Sequence, residues 1–304
     1  MDRLAKVAKG EKVTSVSVAA ADVPNDLSFL VGLRRRVKLP GNGPRGVAIA
    51  GPKAYAAMYF SDSLAAVDVV DPAGKPSEIV LGSGKALSHA RRGEMLFHDG
   101  DCCFQKWQSC ASCHPDARVD GLNWDLLNDG IGNPKNTRNM LNAHKRSPVM
   151  SLGIRDNVGT AVRSGIRYIQ FAVRPEPDAV DIEAYLASLA PVPSPHLVDG
   201  QLSEPARRGK KVFSNAGCAS CHNGELLTDL KTYDLGMGKG MDAGKKFITP
   251  TLVEAWRTGP YLYDGRAATV EEIFTRFNPA DVHGKTSGLT KEQLADLVEY
   301  VLSQ

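Results

Sequence analysis

The chain carries the same pentapeptide twice, as Cys110-Ala111-Ser112-Cys113-His114 and as Cys218-Ala219-Ser220-Cys221-His222. Two thiols separated by two residues match the spacing of the two vinyl groups on one porphyrin, and the next imidazole then sits under the iron. This is the attachment signature of c-type haem. With 6 Cys and 7 His in 304 residues, random order yields about 0.003 such pentads per chain, so two identical copies are not coincidence. Two C-x-x-C pairs could also build a four-thiolate zinc site, and one pair could act as a redox dithiol. Neither use needs the histidine that follows at once in both copies. The motifs therefore point to two covalently bound c-type haems, with iron held from below by His114 and His222.

Around this requirement the composition is permissive. A chain of 304 residues with 42% apolar content can bury a core and divide into two or three domains. The net charge of +3 gives no case for nucleic acid, and Arg34-Arg35-Arg36 reads as a solvated loop or strand end. No apolar run approaches the roughly 18 residues of a membrane span. Thioether attachment implies an extracytoplasmic, periplasmic setting. Yet Met1-Asp2-Arg3-Leu4-Ala5-Lys6 lacks the apolar centre of a signal peptide, so a processed chain or a fragment is expected.

Along the chain the pattern changes once. Residues 1–12 are polar and read as frayed. From Val13 to about residue 70, short apolar alternations are separated by Gly, Pro and Asp breakers. These predict antiparallel strands at 13–18, 36–39, 46–50, 54–59 and 65–70. From Ser83-Gly84 the pattern is helical and internally repeated. Ala90-Arg91-Arg92-Gly93 through Phe97 precedes the first motif, and Ala206-Arg207-Arg208-Gly209 through Phe213 precedes the second. Asp181-Ile182-Glu183-Ala184-Tyr185-Leu186 recurs as Asp296-Leu297-Val298-Glu299-Tyr300-Val301. Each pair reads as the first and last helices of a cytochrome c unit, with Ile182, Tyr185, Leu186 and Leu189 forming a buried stripe. A stiff linker, Ala190-Pro191-Val192-Pro193-Ser194-Pro195, separates the units. The copies differ between the shared Phe and the first motif Cys, with 13 positions in the first and 5 in the second. The extra stretch holds Cys102-Cys103 and Trp107. Adjacent cysteines bond each other with strain, so both are expected as structural thiols, with pairing to a partner chain as the alternative.

These motifs and their spacing resemble the dihaem cytochrome c peroxidase and MauG family over about residues 84–304. Phe247-Ile248-Thr249-Pro250-Thr251-Leu252 followed by Gly259-Pro260-Tyr261-Leu262-Tyr263-Asp264-Gly265-Arg266-Ala267-Ala268-Thr269-Val270-Glu271-Glu272 is similar to that family's conserved second-unit stretch. Residues 44–69 resemble one blade of a YVTN-type β-propeller, and about one and a half blades are present, as the tail of a larger propeller or, alternatively, a small β-meander covering the haem domains. The resemblance implies one haem with a strong sixth ligand that accepts electrons. It implies that the first in sequence keeps an open position where peroxide reacts, assisted by a nearby acid or base.

At several positions the chain departs from the family. The second haem's distal Met or Tyr falls near Phe277, which cannot ligate iron. His283 is the nearest candidate, with Met237 and Met241 as alternatives on a Gly-rich loop. The inter-haem Trp position corresponds to Ser151. The distal Glu position falls near Gln170, whose amide hydrogen-bonds but cannot shuttle a proton. Met150 or His144 would instead close the first site as a distal ligand.

The expected fold class is mainly α. It comprises an N-terminal antiparallel β segment at 1–83 and two tandem cytochrome c-type domains at 84–195 and 196–304. The expected activity is a peroxidase-like oxidoreductase, with a non-catalytic electron-transfer protein as the alternative. An electron donor or acceptor protein is the implied partner, and a dimer is open.

Overall fold

The computed structural model describes residues 2–32, 36–71, 73–82, 86–125 and 132–304. The chain divides into two compact units, Met1–Gly84 and Lys85–Gln304.

In the first unit, helix α1 (Asp2–Ala8) replaces the frayed terminus expected there and buries Val7. Its Arg3 donates to the carbonyls of Phe29 and Val31 at 2.9 and 2.8 Å. The strand expected at 13–18 does not form. Its hydroxyls turn instead onto the buried Asp26: Ser17 Oγ donates to Asp26 Oδ2 at 2.6 Å, and Thr14 donates to the same oxygen. Side chains that bond locally in this way compete with a ladder. Residues 36–39 are likewise irregular, and Arg34 and Arg35 lie outside the described residues.

The later alternations do form strands. β1 (Pro44–Ala50), β2 (Lys53–Met58), β3 (Ser63–Asp68) and β4 (Ser77–Val80) make one antiparallel meander in chain order. Met58, Phe60, Ala65 and Ala66 are buried, whereas Val47 and Ile49 on β1 are 74% and 72% exposed.

The second unit is mainly helical and contains one crossing built twice. α2 (His89–His98) packs on α5 (Glu176–Ser188), and α6 (Glu204–Asn215) packs on α8 (Lys291–Leu302). α2 and α6 start at Ser88 and Ser203, whose side chains accept from Arg91 N and Ala206 N and so satisfy a helix-end donor. Glycine is required where the helices touch. A Cβ on Gly93 would lie 1.8 Å from Asp181 O, and one on Gly209 would lie 1.8 Å from Asp296 O. Arg92 reaches across to Asp178 and Asp181, and Arg208 reaches to both oxygens of Asp296 at 2.7 Å. Phe97 packs on Tyr185 with ring centres 5.3 Å apart, and Phe213 on Tyr300 at 5.1 Å. Both pairs belong to the hydrophobic cores of their halves.

A second pair of repeated features follows. The turns 149–155 and 261–267 each close with a single bridge, Val149 to Arg155 and Tyr261 to Ala267. Each is followed by a capped helix: α4 (Val158–Tyr168) starts at Asn157, and α7 (Val270–Thr275) starts at Thr269.

The halves are joined by a buried clamp. Arg118 Nε and Nη2 each donate at 2.8 Å to the two carboxylate oxygens of Glu254, which is 1% exposed. Val192 N from the linker and Arg257 Nε complete the carboxylate's partners at 2.6 and 2.7 Å.

Candidate functional site

Each C-x-x-C-H motif forms a single tight turn. The first is helix α3 (Cys110–Cys113), closed by His114 N donating to Cys110 O at 2.9 Å. The second is a 3-10 turn over Cys218–Ser220, closed by His222 N donating to Cys218 O at 3.0 Å. The same turn that spaces the sulfurs therefore sets the imidazole beside them. All four motif thiols are free, and burial pushes Cys110 up to about 12 and Cys218 to about 11. The two C-x-x-C pairs do not converge. Among the described residues no three His, Cys, Asp or Glu side chains gather closely enough to bind a metal ion.

The imidazoles are oriented alike. His114 Nδ1 lies 3.2 Å from Arg118 O, with the Arg138 carbonyl also facing the ring. His222 Nδ1 lies 3.2 Å from Leu227 O, with the Pro250 carbonyl facing it. A carbonyl at Nδ1 fixes the tautomer with its proton there and leaves the Nε2 lone pair for a metal. Burial lowers both histidine pKa values, which favours the neutral, ligating form.

The second motif opens on a cavity of about 300 Å³ lined by Cys218, Cys221, His222 and His283, and by residues 136–139 of the first half. The rings of His222 and His283 lie with centres 6.2 Å apart and planes inclined at 49°. With a metal–nitrogen bond of about 2 Å on each side, two imidazoles flanking one metal have ring centres about 6 Å apart. The pair therefore fits a shared iron. His283 Nδ1 is buried without a partner, and burial together with the facing His222 presses its pKa down to about 4.

The loop carrying His283 is held by one residue that sequence reasoning missed. Asn278, 1% exposed, accepts from His283 N at 2.8 Å and donates to Gly284 O and Thr286 Oγ1 at 2.8 and 2.9 Å. Lys285 N donates to Ala216 O at 2.8 Å, two residues before Cys218. Gly284, at φ +84, comes so near that a Cβ would lie 3.3 Å from Cys218 Sγ. The loop is thus fastened to the motif that it faces. Met237 also lines the cavity, whereas Met241 is 49% exposed.

The first motif is packed differently. Cys102, Met140, Val158, Val162 and Ile166 pack around the core that includes Phe97 and Ala117. Gln170 is 5% exposed and its Oε1 has no partner. The stretch absent from the second half is fastened beside it: Phe104 N donates to Gln170 O at 2.8 Å, and Gln108 Nε2 to Ile169 O at 3.0 Å. Cys102 and Cys103 are both free. Burial raises Cys102 to about 11, Cys103 is 4% exposed, and Trp107 is 66% exposed. Met150 lies on the 149–155 turn at φ +76, next to Ser151, which lines the second cavity. His144 is exposed.

A cytochrome c family profile matches residues 206–304. The chain is 31% identical to hydrazine synthase subunit gamma of Kuenenia stuttgartiensis over 268 residues, covering 69% of this chain and 76% of that one. The solved structure of that hydrazine synthase aligns with a TM-score of 0.66 at 26% identity, over 72% of this chain and 89% of that one. The methylamine utilization protein MauG of Methylophilus methylotrophus is 24% identical over 275 residues, 73% of this chain and 80% of that one. The diheme peroxidase BthA of Burkholderia thailandensis shares the fold at 16% identity, with a TM-score of 0.54 over 88% of this chain and 94% of that one. No helix among the described residues is long and apolar enough to cross a membrane.

Proposed function

Because this chain belongs to the dihaem cytochrome c peroxidase and MauG superfamily, we propose that it is an oxidoreductase with one covalent c-type haem on each motif and unequal roles for the two sites. Haem supplies reversible one-electron chemistry, and an iron with an open position offers a site for peroxide. The reading rests on the 6.2 Å pairing of His222 with His283. Cys218 and Cys221 would anchor the second group, and His222 and His283 would both hold its iron, which would leave this site to relay electrons. Asn278 fixes the loop that carries His283 and would thereby orient this ligand toward the group.

At the first motif Cys110, Cys113 and His114 would provide anchor and proximal base, and we take Gln170, a buried amide with an unpartnered Oε1, as the distal group. An amide orients a bound oxygen species by hydrogen bonding but neither takes nor gives a proton at neutral pH. Proton delivery to a peroxide oxygen is therefore weak, which favours slow peroxide reduction or oxidation of a partner protein. The missing carboxylate also favours the second reading, a dihaem electron-transfer protein in which Met150 or His144 closes the first site. Thioether attachment favours work outside the cytoplasm, in the periplasm, beside a protein electron donor or acceptor. The β1–β4 meander has the strand order of one propeller blade, and we read it as part of a β-propeller.

The deciding experiment combines intact mass with EPR of the mature protein. Two added macrocycles are expected, with one low-spin and one cyanide-sensitive high-spin ferric signal. In His283→Ala the low-spin signal becomes high-spin. Two low-spin signals blind to cyanide would instead establish the electron-transfer reading, and a low-spin signal surviving His283→Ala would remove the ligand assignment.

A further inference from the structure

We propose that Arg138 and Arg146 form the anion site that receives the two carboxylates of the macrocycle held by Cys218, Cys221 and His222. This rests on the reading that haem occupies that cavity. Both arginines line it. Arg146 is 9% exposed, its Nη2 donates to the carbonyls of Asn139 and Leu141 at 2.7 and 2.8 Å, and its Nε is buried without a partner. Among the described residues neither guanidinium meets a carboxylate. Elsewhere the chain behaves differently: the buried Arg118 is gripped by both oxygens of Glu254.

Two cations lining one cavity without a carboxylate among the described residues are costly. A guanidinium does not escape by losing its proton, so the site calls for an anion. Planar carboxylates match the guanidinium fork, and haem brings two of them on one edge. The assignment has a geometric consequence. The Arg138 carbonyl faces the His114 ring while the residue also lines the second cavity, so one residue touches both sites.

The test uses Arg138→Met and Arg146→Met in the mature holoprotein, titrated spectroelectrochemically with the low-spin and high-spin components resolved. Removing a cation beside the macrocycle stabilises its ferric form. Each variant is expected to lower the ferrous-to-ferric ratio of the low-spin haem about tenfold at fixed potential, equivalent to 59 mV for one electron. The high-spin haem should move far less, and the propionate bending bands in resonance Raman should shift. Arg146→Lys, which keeps the charge but not the fork, should retain the potential and still shift the bands, and it serves if a Met variant fails to mature. Unchanged low-spin potential and bands in these variants would overturn the proposal. So would inorganic phosphate shifting the wild-type potential in a way that Arg146→Met abolishes, since the pair would then serve a free anion. A wild-type mass lacking two macrocycles would instead defeat the reading on which this proposal stands.

Discussion

The two halves of Lys85–Gln304 share a scaffold and differ in what fills it. Both cross a first and last helix at a glycine, seat an aromatic pair beneath the crossing, and turn the motif histidine onto a backbone carbonyl. Between the second capped helix and the closing helix they diverge. The first half uses 11 residues for α4 and a link over 169–175, whereas the second uses 6 for α7 and a long loop over 276–290. Twelve positions after each helix starts, the first half has the buried Gln170 and the second has Val282, next to His283. On the proposed reading, what would hold a macrocycle is written in the helices and the motif, while what would face the iron is written in a connecting loop free to change.

Three experiments can break or sharpen that comparison. The largest effect is expected from removing one anchor pair at a time. Cys218→Ala with Cys221→Ala should remove one macrocycle by mass together with the low-spin signal. Cys110→Ala with Cys113→Ala should remove the other macrocycle and the cyanide-sensitive signal. If either double variant removed both signals, the halves would not be independent sites.

Next comes the clamp between them. Arg118→Met leaves Glu254 charged and buried, and breaking such a pair costs about 3–5 kcal/mol, measured as a lowered denaturation midpoint. Burial alone would raise the Glu254 pKa, but hydrogen bonds from Arg118, Arg257 and Val192 N hold it below 4.5. A carboxyl held low in the folded state stabilises the fold above its unfolded value and loses that contribution as pH falls through the folded one. Wild-type stability should therefore decline as pH drops below about 4.5, and this acid dependence should be reduced in Arg118→Met.

The smallest change is a methyl group at each crossing. Gly93→Ala and Gly209→Ala should each cost about 1–3 kcal/mol or more by overpacking, and by similar amounts, read from thermal melts. A large inequality would show that only one crossing is as tight as its geometry states.

The sequence made the repeated parts legible because they are local or periodic. The motifs, the Arg-Gly pairs before them and the last helices needed no three-dimensional information. His283 stands out in the sequence because Phe277 cannot ligate a metal, and the structure places it in the cavity beside His222. Other features were hidden. Asn278 resembles any loop asparagine until its contacts to residues 283–286 are seen. Arg118 and Glu254 lie 136 positions apart, beyond any local pattern. Arg138 and Arg146 look like ordinary surface charge in sequence. At 13–18 the alternation suggested a strand, but Thr14 and Ser17 found a nearer acceptor in Asp26.

The glycine crossings also set an order of events. Arg92 and Asp181 are 89 positions apart and Arg208 and Asp296 are 88 apart, and each interval contains its own motif. Bringing such distant segments together is entropically slow to arrange. Until the later helix docks, the thiols of that half stay reachable on an open chain. On the proposed reading, covalent loading of the thiols would fall within that interval, before docking shuts the door behind it.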